Sequence, residues 1–406
     1  MSRTRYGISP WIHQLPDSRR PEFPRARGES TSNVVIVGAG LTGCATAYAC
    51  AAAGLRAIVL EAGRIGQGCS GRSAGLLLPE PGPSFRDLSD AHGLRAARRA
   101  FQSSRRAVLD AAALIRRLGI RCGLDLEEAL LVAQREDEKS LRREFEARAQ
   151  SQIDVAWLGR KLLQKEAALE TGSAIKMHEA FGLDPYRAVI GIARAAATRG
   201  VAFFERSAVT KVRFGRKHAE VLTEHASIRA ATVIVTTGTP GQEFRQLRRH
   251  FKRRETYLVL TQPMPAAMRK TLGPRKATIA DTRAPRHRIR WMEDDRILIG
   301  GADQAATPAR TREAVLVQRT GQLMYELSTM YPGISGLMPA YGWELPYGDT
   351  ADGLPYIGPH RNFPHHLFAF GGRSDSIAGA FLAAKILVRA AQGEADKTDE
   401  IFAFTR

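Results

Sequence analysis

The chain of 406 residues is short of aromatics, which form 7% of it, and holds only four cysteines, Cys44, Cys50, Cys69 and Cys122. No Cys-x-x-Cys pair and no histidine cluster accompanies them, so no metal site is expected. Their scarcity suits a reducing, cytoplasmic setting. No apolar run reaches the roughly 18–20 residues needed to cross a bilayer; the longest, such as Ile228 to Val235, suit buried strands. Acidic residues are in deficit, 41 against 60 lysines and arginines, for a net charge of +19. The basic residues occur as pairs (Arg98-Arg99, Arg105-Arg106, Arg116-Arg117, Arg142-Arg143, Arg248-Arg249) dispersed over several predicted helices. Without one basic face interleaved with aromatics, nucleic acid is not an expected partner. A solvated basic surface is expected instead, whose field favours anionic substrates or partners. No Ser-His-Asp or paired-carboxylate constellation is evident.

What is present is a nucleotide-binding layout. The apolar run Val34-Val35-Ile36-Val37 enters Gly38-Ala39-Gly40-Leu41-Thr42-Gly43, a helix follows, and a second apolar run, Ala57-Ile58-Val59-Leu60, ends in Glu61. This is a dinucleotide-binding βαβ unit. Gly38 permits the tight turn, Gly40 lets the backbone approach a pyrophosphate, and Gly43 lets helix and strand pack closely. The first helical amides, around Leu41 and Thr42, point at the phosphates. Glu61 accepts hydrogen bonds from ribose hydroxyls. The following run, Gly66 to Leu78, is dense in small residues. Such a loop brings backbone close to a flat ligand, with Arg72 placed to face a pyrophosphate.

Further along, Met1 to Ser32 is rich in Pro and Arg without a period and reads as an arm, with Trp11 and Phe23 as points of attachment. Residues 86–118 read as one helix and Ser140 to Ala149 as another. Asp184 caps a helix that begins at Pro185 and runs through Ala197. Val201–Phe204, Ala208–Phe214, Ala230–Thr237, Tyr257–Thr261 and Arg296–Gly300 read as strands, the later ones belonging to a more antiparallel region. Near the C-terminus, Asp352-Gly353-Leu354-Pro355-Tyr356-Ile357-Gly358-Pro359 precedes a short strand, Leu367–Phe370. Gly371-Gly372 and a helix over Ser376–Ala390 follow.

These segments, in this order, resemble the FAD-dependent oxidoreductases of the D-amino-acid oxidase type, a group that includes glycine oxidase, sarcosine oxidase and oxidases of γ-glutamylated polyamines. The resemblance spans Asn33 to Ala390. It implies an α/β fold: a Rossmann-like FAD-binding domain of the glutathione-reductase kind, plus a substrate domain with a large mixed or antiparallel sheet. It also implies a discontinuous order of segments. An arm (1–32) and FAD-binding segments 33–82, 184–239 and 343–392 would alternate with substrate-domain segments 83–183 and 240–342, and a tail (393–406) would follow. FAD would lie with Gly38, Gly40, Leu41, Thr42 and Gly43 at its pyrophosphate and with Glu61 and Ala62 at its ribose. The loop Ser70, Gly71, Arg72, Ser73, Ala74 and Gly75 would run beside pyrophosphate and flavin. The backbone of Val209 would meet the adenine, Thr237 and Gly238 the pyrophosphate or ribityl chain, and Gly371, Gly372, Arg373 and Ser374 the pyrimidine end of the flavin.

The implied chemistry is oxidation of a carbon–nitrogen bond in a small amine or amino acid, anionic ones included. A hydride passes from the carbon beside a neutral amine to flavin N5, and the imine is hydrolysed. Tyr257, His287, Arg290 and Arg373, with Arg288 beside them, are the candidate substrate-facing residues, an arginine being suited to a carboxylate. Sarcosine-oxidase-like members carry a lysine that helps oxygen react, and Leu298 occupies the matching place here. The electron acceptor is therefore oxygen or another species such as a quinone or carrier protein. A non-catalytic flavin-fold binding protein is the remaining alternative.

Overall fold

The structure is a computed structural model and describes residues 3–133, 135–170, 172–272, 276–372 and 376–406. The apolar runs become the centre of a sheet that is largely parallel. Its order is Tyr356–Pro359, His366–Phe370, Ala226–Gly238, Gly28–Val37, Ala57–Leu60 and Ala202–Phe204, with a hairpin of Lys211–Phe214 and Ala219–Leu222 attached to Ala226–Gly238. Val35, Ile36, Val59, Val233 and Ile234 are fully buried, as continuous β-branched runs must be when both faces of a parallel sheet are covered. Helices Leu41–Ala52, Pro185–Thr198, Ala378–Ala391 and Leu94–Arg117 cover one face.

A second, mixed sheet holds ten strands among the described residues. At its centre Lys252–Thr261 lies antiparallel between Pro339–Asp349 and Ile297–Ala305. Its two faces differ. Leu258, Leu260, Leu298 and Trp343 pack with Trp11 and Tyr186, toward the FAD-binding unit. Tyr257, Val259, Leu323 and Leu327 pack on the opposite side, beneath the helix Arg312–Met330. This is the period-two alternation of a strand, and it decides which side chains reach the site. The α/β fold expected from the sequence, a Rossmann-like unit beside a large mixed sheet, is the fold observed.

Local differences have local causes. The helix expected over 86–118 is two helices, Phe85–His92 and Leu94–Arg117, because Gly93 between them takes a φ of 82° and breaks the ladder. The strand expected from Ala208 begins only at Lys211. The helix at Pro185 is capped as expected, Asp184 accepting from the amides of Tyr186 (2.9 Å) and Arg187 (3.0 Å). The segment read as an arm is docked. Arg5–Tyr6 pairs in parallel with Pro339–Asp349, Pro10–Gln14 is a short helix, and strand Gly28–Val37 starts inside the segment. Trp11 is buried, and the Phe23 ring lies 5.2 Å from that of Phe203. Elements of two to five residues are too short to show a period, so the sequence hid them.

One buried ionic cluster ties the helical layer to the cavity wall. Arg148, 1% exposed, donates to Glu144 at 2.7 Å and to Glu80 at 3.3 Å. Glu144 in turn accepts from the amides of Phe85 (2.7 Å) and Arg86 (3.1 Å), serving the start of that helix. Removing the cation takes the principal partner from two buried carboxylates, leaving Glu80 the Arg288 guanidinium at 4.0 Å and Glu144 its two amides. Arg148→Ala is therefore expected to lower unfolding free energy by about 3–5 kcal/mol, measured by denaturant titration.

Candidate active site

The glycine turn and the helix after it form one rigid unit. Gly38 has a φ of 100° and its amide donates to Leu60 O at 2.8 Å. A Cβ on Gly43 would overlap the Gly38 carbonyl oxygen, so only glycine lets helix Leu41–Ala52 sit this close to the strand. Gly40 is the N-cap and offers no side chain to the first amides. A Cβ there would lie 3.0 Å from Ser70 Oγ, which itself accepts from Leu41 N at 2.8 Å. The Glu61 carboxylate is oriented by the amides of Ala39 and Gly63, both at 2.8 Å. Ala62 follows it at the surface, and Val209 is half-buried outside regular structure.

This helix end opens onto a cavity of about 460 Å³. Leu41, Thr42, Ser70, Ser73, Thr237, Gly238, Gly371 and Gly372 all line it, so four sequence-distant segments meet there. Gly371 N donates to Gly238 O at 3.0 Å, which joins two of them directly. Gly71, Arg72, Ala74 and Gly75 form the backbone behind Ser70 and Ser73 rather than the lining itself. A positive helix end, a side-chain-free approach at Gly40 and an acid at the end of the second strand fit the phosphates and ribose of FAD. Arg373 and Ser374 lie outside the described residues.

The far wall of the same cavity comes from the mixed sheet and carries Arg253, Arg254, Glu255, Arg288, Pro346 and Tyr347, with Glu80 beside them. Tyr347 donates to Asp303 at 2.6 Å. Burial, followed by the Asp303 charge, pushes its phenol well above its ordinary value, so it stays a donor. Arg288 is buried with its guanidinium 4.0 Å from Glu80.

Three of the expected substrate-facing residues stand off this wall, for identifiable reasons. Tyr257 is on the face beneath helix Arg312–Met330, where its hydroxyl meets Thr307 (3.0 Å), Gln304 (2.9 Å) and Glu255 (3.3 Å). His287 is clamped between Asp281 (2.7 Å) and Glu326 (2.8 Å), the latter on that same helix. Arg290 is consumed by structure: it pairs with Glu127 at 3.1 Å and donates to Leu183 O (2.9 Å) and Ala74 O (3.2 Å). Sequence reasoning passed over Arg254, Tyr347 and Glu80. Strand parity, which decides that these side chains reach the cavity, could not be read without the sheet.

The chain belongs to the DAO family of FAD-dependent oxidoreductases, whose model matches residues 33–390. It is a flavoprotein oxidoreductase that binds FAD. Among curated proteins it is 24% identical over 394 residues to a probable oxidoreductase OrdL of Haemophilus influenzae, covering 94% of this chain and 88% of that protein. It is 24% identical over 380 residues to the gamma-glutamylputrescine oxidoreductase of Escherichia coli, covering 91% and 85%. Glycine oxidase from Geobacillus kaustophilus shares the fold with a TM-score of 0.75 at 20% identity, over 93% of this chain and 99% of that one. L-amino acid deaminase from Proteus myxofaciens does so with a TM-score of 0.76 at 14% identity, over 95% and 96%.

Two outcomes follow from this geometry. Gly40→Val fills the phosphate approach and is expected to weaken FAD binding by roughly tenfold or more, about 1.4 kcal/mol, read as loss of the flavin absorption band on purification. For His287, burial pulls the pKa down, but the hydrogen bonds and charges of Asp281 and Glu326 outweigh it, so the net shift is upward. Its stabilisation is present below the unfolded value and is lost as pH rises through the folded one. The Tm deficit of His287→Gln relative to wild type should thus be larger at about pH 6 than at about pH 9.

Proposed function

We propose that the protein oxidises the carbon–nitrogen bond of a small amine or amino acid bearing an anionic group, and that the resulting imine is hydrolysed to a carbonyl compound. FAD, when bound, supplies the hydride acceptor at flavin N5. The chain's own residues do the rest. The helix end at Leu41 and Thr42 and the Ser70–Ser73 wall hold the cofactor, and the mixed sheet presents a polar wall to the substrate. The observation that carries the reading is the charge of that wall: three arginines, Arg253, Arg254 and Arg288, share the cavity with two carboxylates, Glu80 and Glu255. Both carboxylates are already engaged, Glu80 by Arg148 and Arg288 and Glu255 by the Thr307 amide at 3.0 Å. A substrate carboxylate meets Arg254 in charge-assisted contact. The gamma-glutamylputrescine oxidoreductase and glycine oxidase relatives act on amines and amino acids by name, which supports the same class.

A second reading concerns the acceptor. Leu298 is 1% exposed within the apolar cluster around Trp343, in the place where sarcosine-oxidase-like relatives carry a lysine. This favours a dehydrogenase that hands electrons to a quinone or carrier protein over an oxidase that uses oxygen. Both acceptors serve the same half-reaction. The four free cysteines fit a reducing, cytoplasmic setting, and among the described residues no helix is long and apolar enough to cross a membrane.

Anaerobic mixing with secondary amines, D- and L-amino acids and polyamine conjugates tests the proposal through bleaching of the flavin band. Bleaching by an amine that carries a carboxylate is expected. Bleaching by hydroxy acids alone would replace carbon–nitrogen with carbon–oxygen oxidation, and no bleaching by any substrate would favour a binding protein. Peroxide yield against dye reduction then separates the two acceptors, dye reduction being the expected result.

A further inference from the structure

The loop that carries Ser70 and Ser73 into the cavity has four successive carbonyl oxygens held by side chains from other parts of the chain. Gly71 O accepts from Ser9 Oγ at 2.5 Å, Arg72 O from Trp343 Nε1 at 2.7 Å, Ser73 O from Trp11 Nε1 at 3.0 Å and Ala74 O from Arg290 Nη1 at 3.2 Å. Two of these donors, Ser9 and Trp11, come from the N-terminal segment. Ser9 is fully buried, Trp11 is 8% exposed, and Ile12 packs against Gly71. Arg20 closes the short helix from its other end, donating to Ile12 O at 2.7 Å and Leu15 O at 2.8 Å.

Packing alone would be served by apolar side chains. An indole N–H and a hydroxyl aimed at consecutive carbonyls are directional contacts that fix the loop's shape. The effect reaches the cofactor cradle, because Ser70 at the start of the loop accepts from Leu41 N, the first amide of the phosphate-facing helix. We infer that Ser9 and Trp11, with Trp343, form a clasp that holds the 70–75 loop in its FAD-binding shape, so that docking of the N-terminal segment and binding of FAD stabilise each other. Ser9 and Trp11 are positioning residues, separated from the cofactor by the loop itself. The inference rests on FAD occupying this cavity and is independent of which substrate is oxidised.

The test uses the full-length chain, stripped of FAD and titrated with it, binding being read from flavin fluorescence. Trp11→Phe keeps the ring and removes one donor. It is expected to weaken FAD about fivefold, the equivalent of one neutral hydrogen bond, and Ser9→Ala/Trp11→Phe by more than about tenfold. Leu15→Ala is the control, since it removes packing from the same apolar cluster without touching a loop carbonyl. It should lower Tm while leaving FAD affinity within about twofold. By reciprocity, FAD should slow amide exchange over residues 9–15 in the wild-type protein. Wild-type affinity in the double variant overturns the inference. So does a Leu15→Ala variant that loses FAD as severely as the double variant, or exchange over 9–15 that FAD leaves unchanged.

Discussion

The constraint on which the rest depends is the close approach of helix Leu41–Ala52 to the strand before it. Gly43 lies so near the Gly38 carbonyl that no side chain fits between them, and that approach sets the direction of the helix axis. With the axis set, Leu41 and Thr42 of the first turn line the cavity, and Glu61 at the end of the next strand falls beside the turn. A shift of helix against strand by the width of a methyl group would move the positive helix end, the acid and the Ser70 contact together.

Around that cradle the protein spends its buried charge on architecture. Arg148 bridges Glu80 and Glu144, Arg290 spans Glu127 and two carbonyls, and His287 sits between Asp281 and Glu326. Each joins elements that are distant in the chain, and each is nearly excluded from solvent. Buried ions of this kind contribute little net stability but are costly to break singly, so they favour one arrangement of the elements they join. The high content of arginine thus has two destinations: a solvated surface, and a few interior clasps whose positions composition does not reveal.

Substrate-side residues show where reading along the chain stops. His287, Arg288 and Arg290 lie within one short stretch, yet they serve three purposes. The ring of His287 goes to the outer helix, Arg288 lines the cavity, and Arg290 turns to the loop carbonyls. Tyr257 and Arg254 belong to the same strand, but Tyr257 packs on the face away from FAD while Arg254 lines the cavity. Residue type and neighbourhood are almost identical within these groups. Parity separates His287 from the two arginines and Tyr257 from Arg254, whereas Arg288 and Arg290, two apart on one strand, differ in the neighbouring element each meets.

The cofactor-binding half of this protein was determined by sequence alone, because its signals are local. A β-branched run, a glycine turn, a helix and an acid each obey short-range sterics, and their spacing survives whatever the rest of the chain does. The polar wall of the cavity and the docking of residues 5–15 were decided by tertiary structure. A side chain on a strand points to one of two faces, and a two-residue strand exists only where another strand receives it. Both outcomes depend on contacts between residues hundreds of positions apart, as when Arg5 meets Tyr341, and no local pattern records such a meeting.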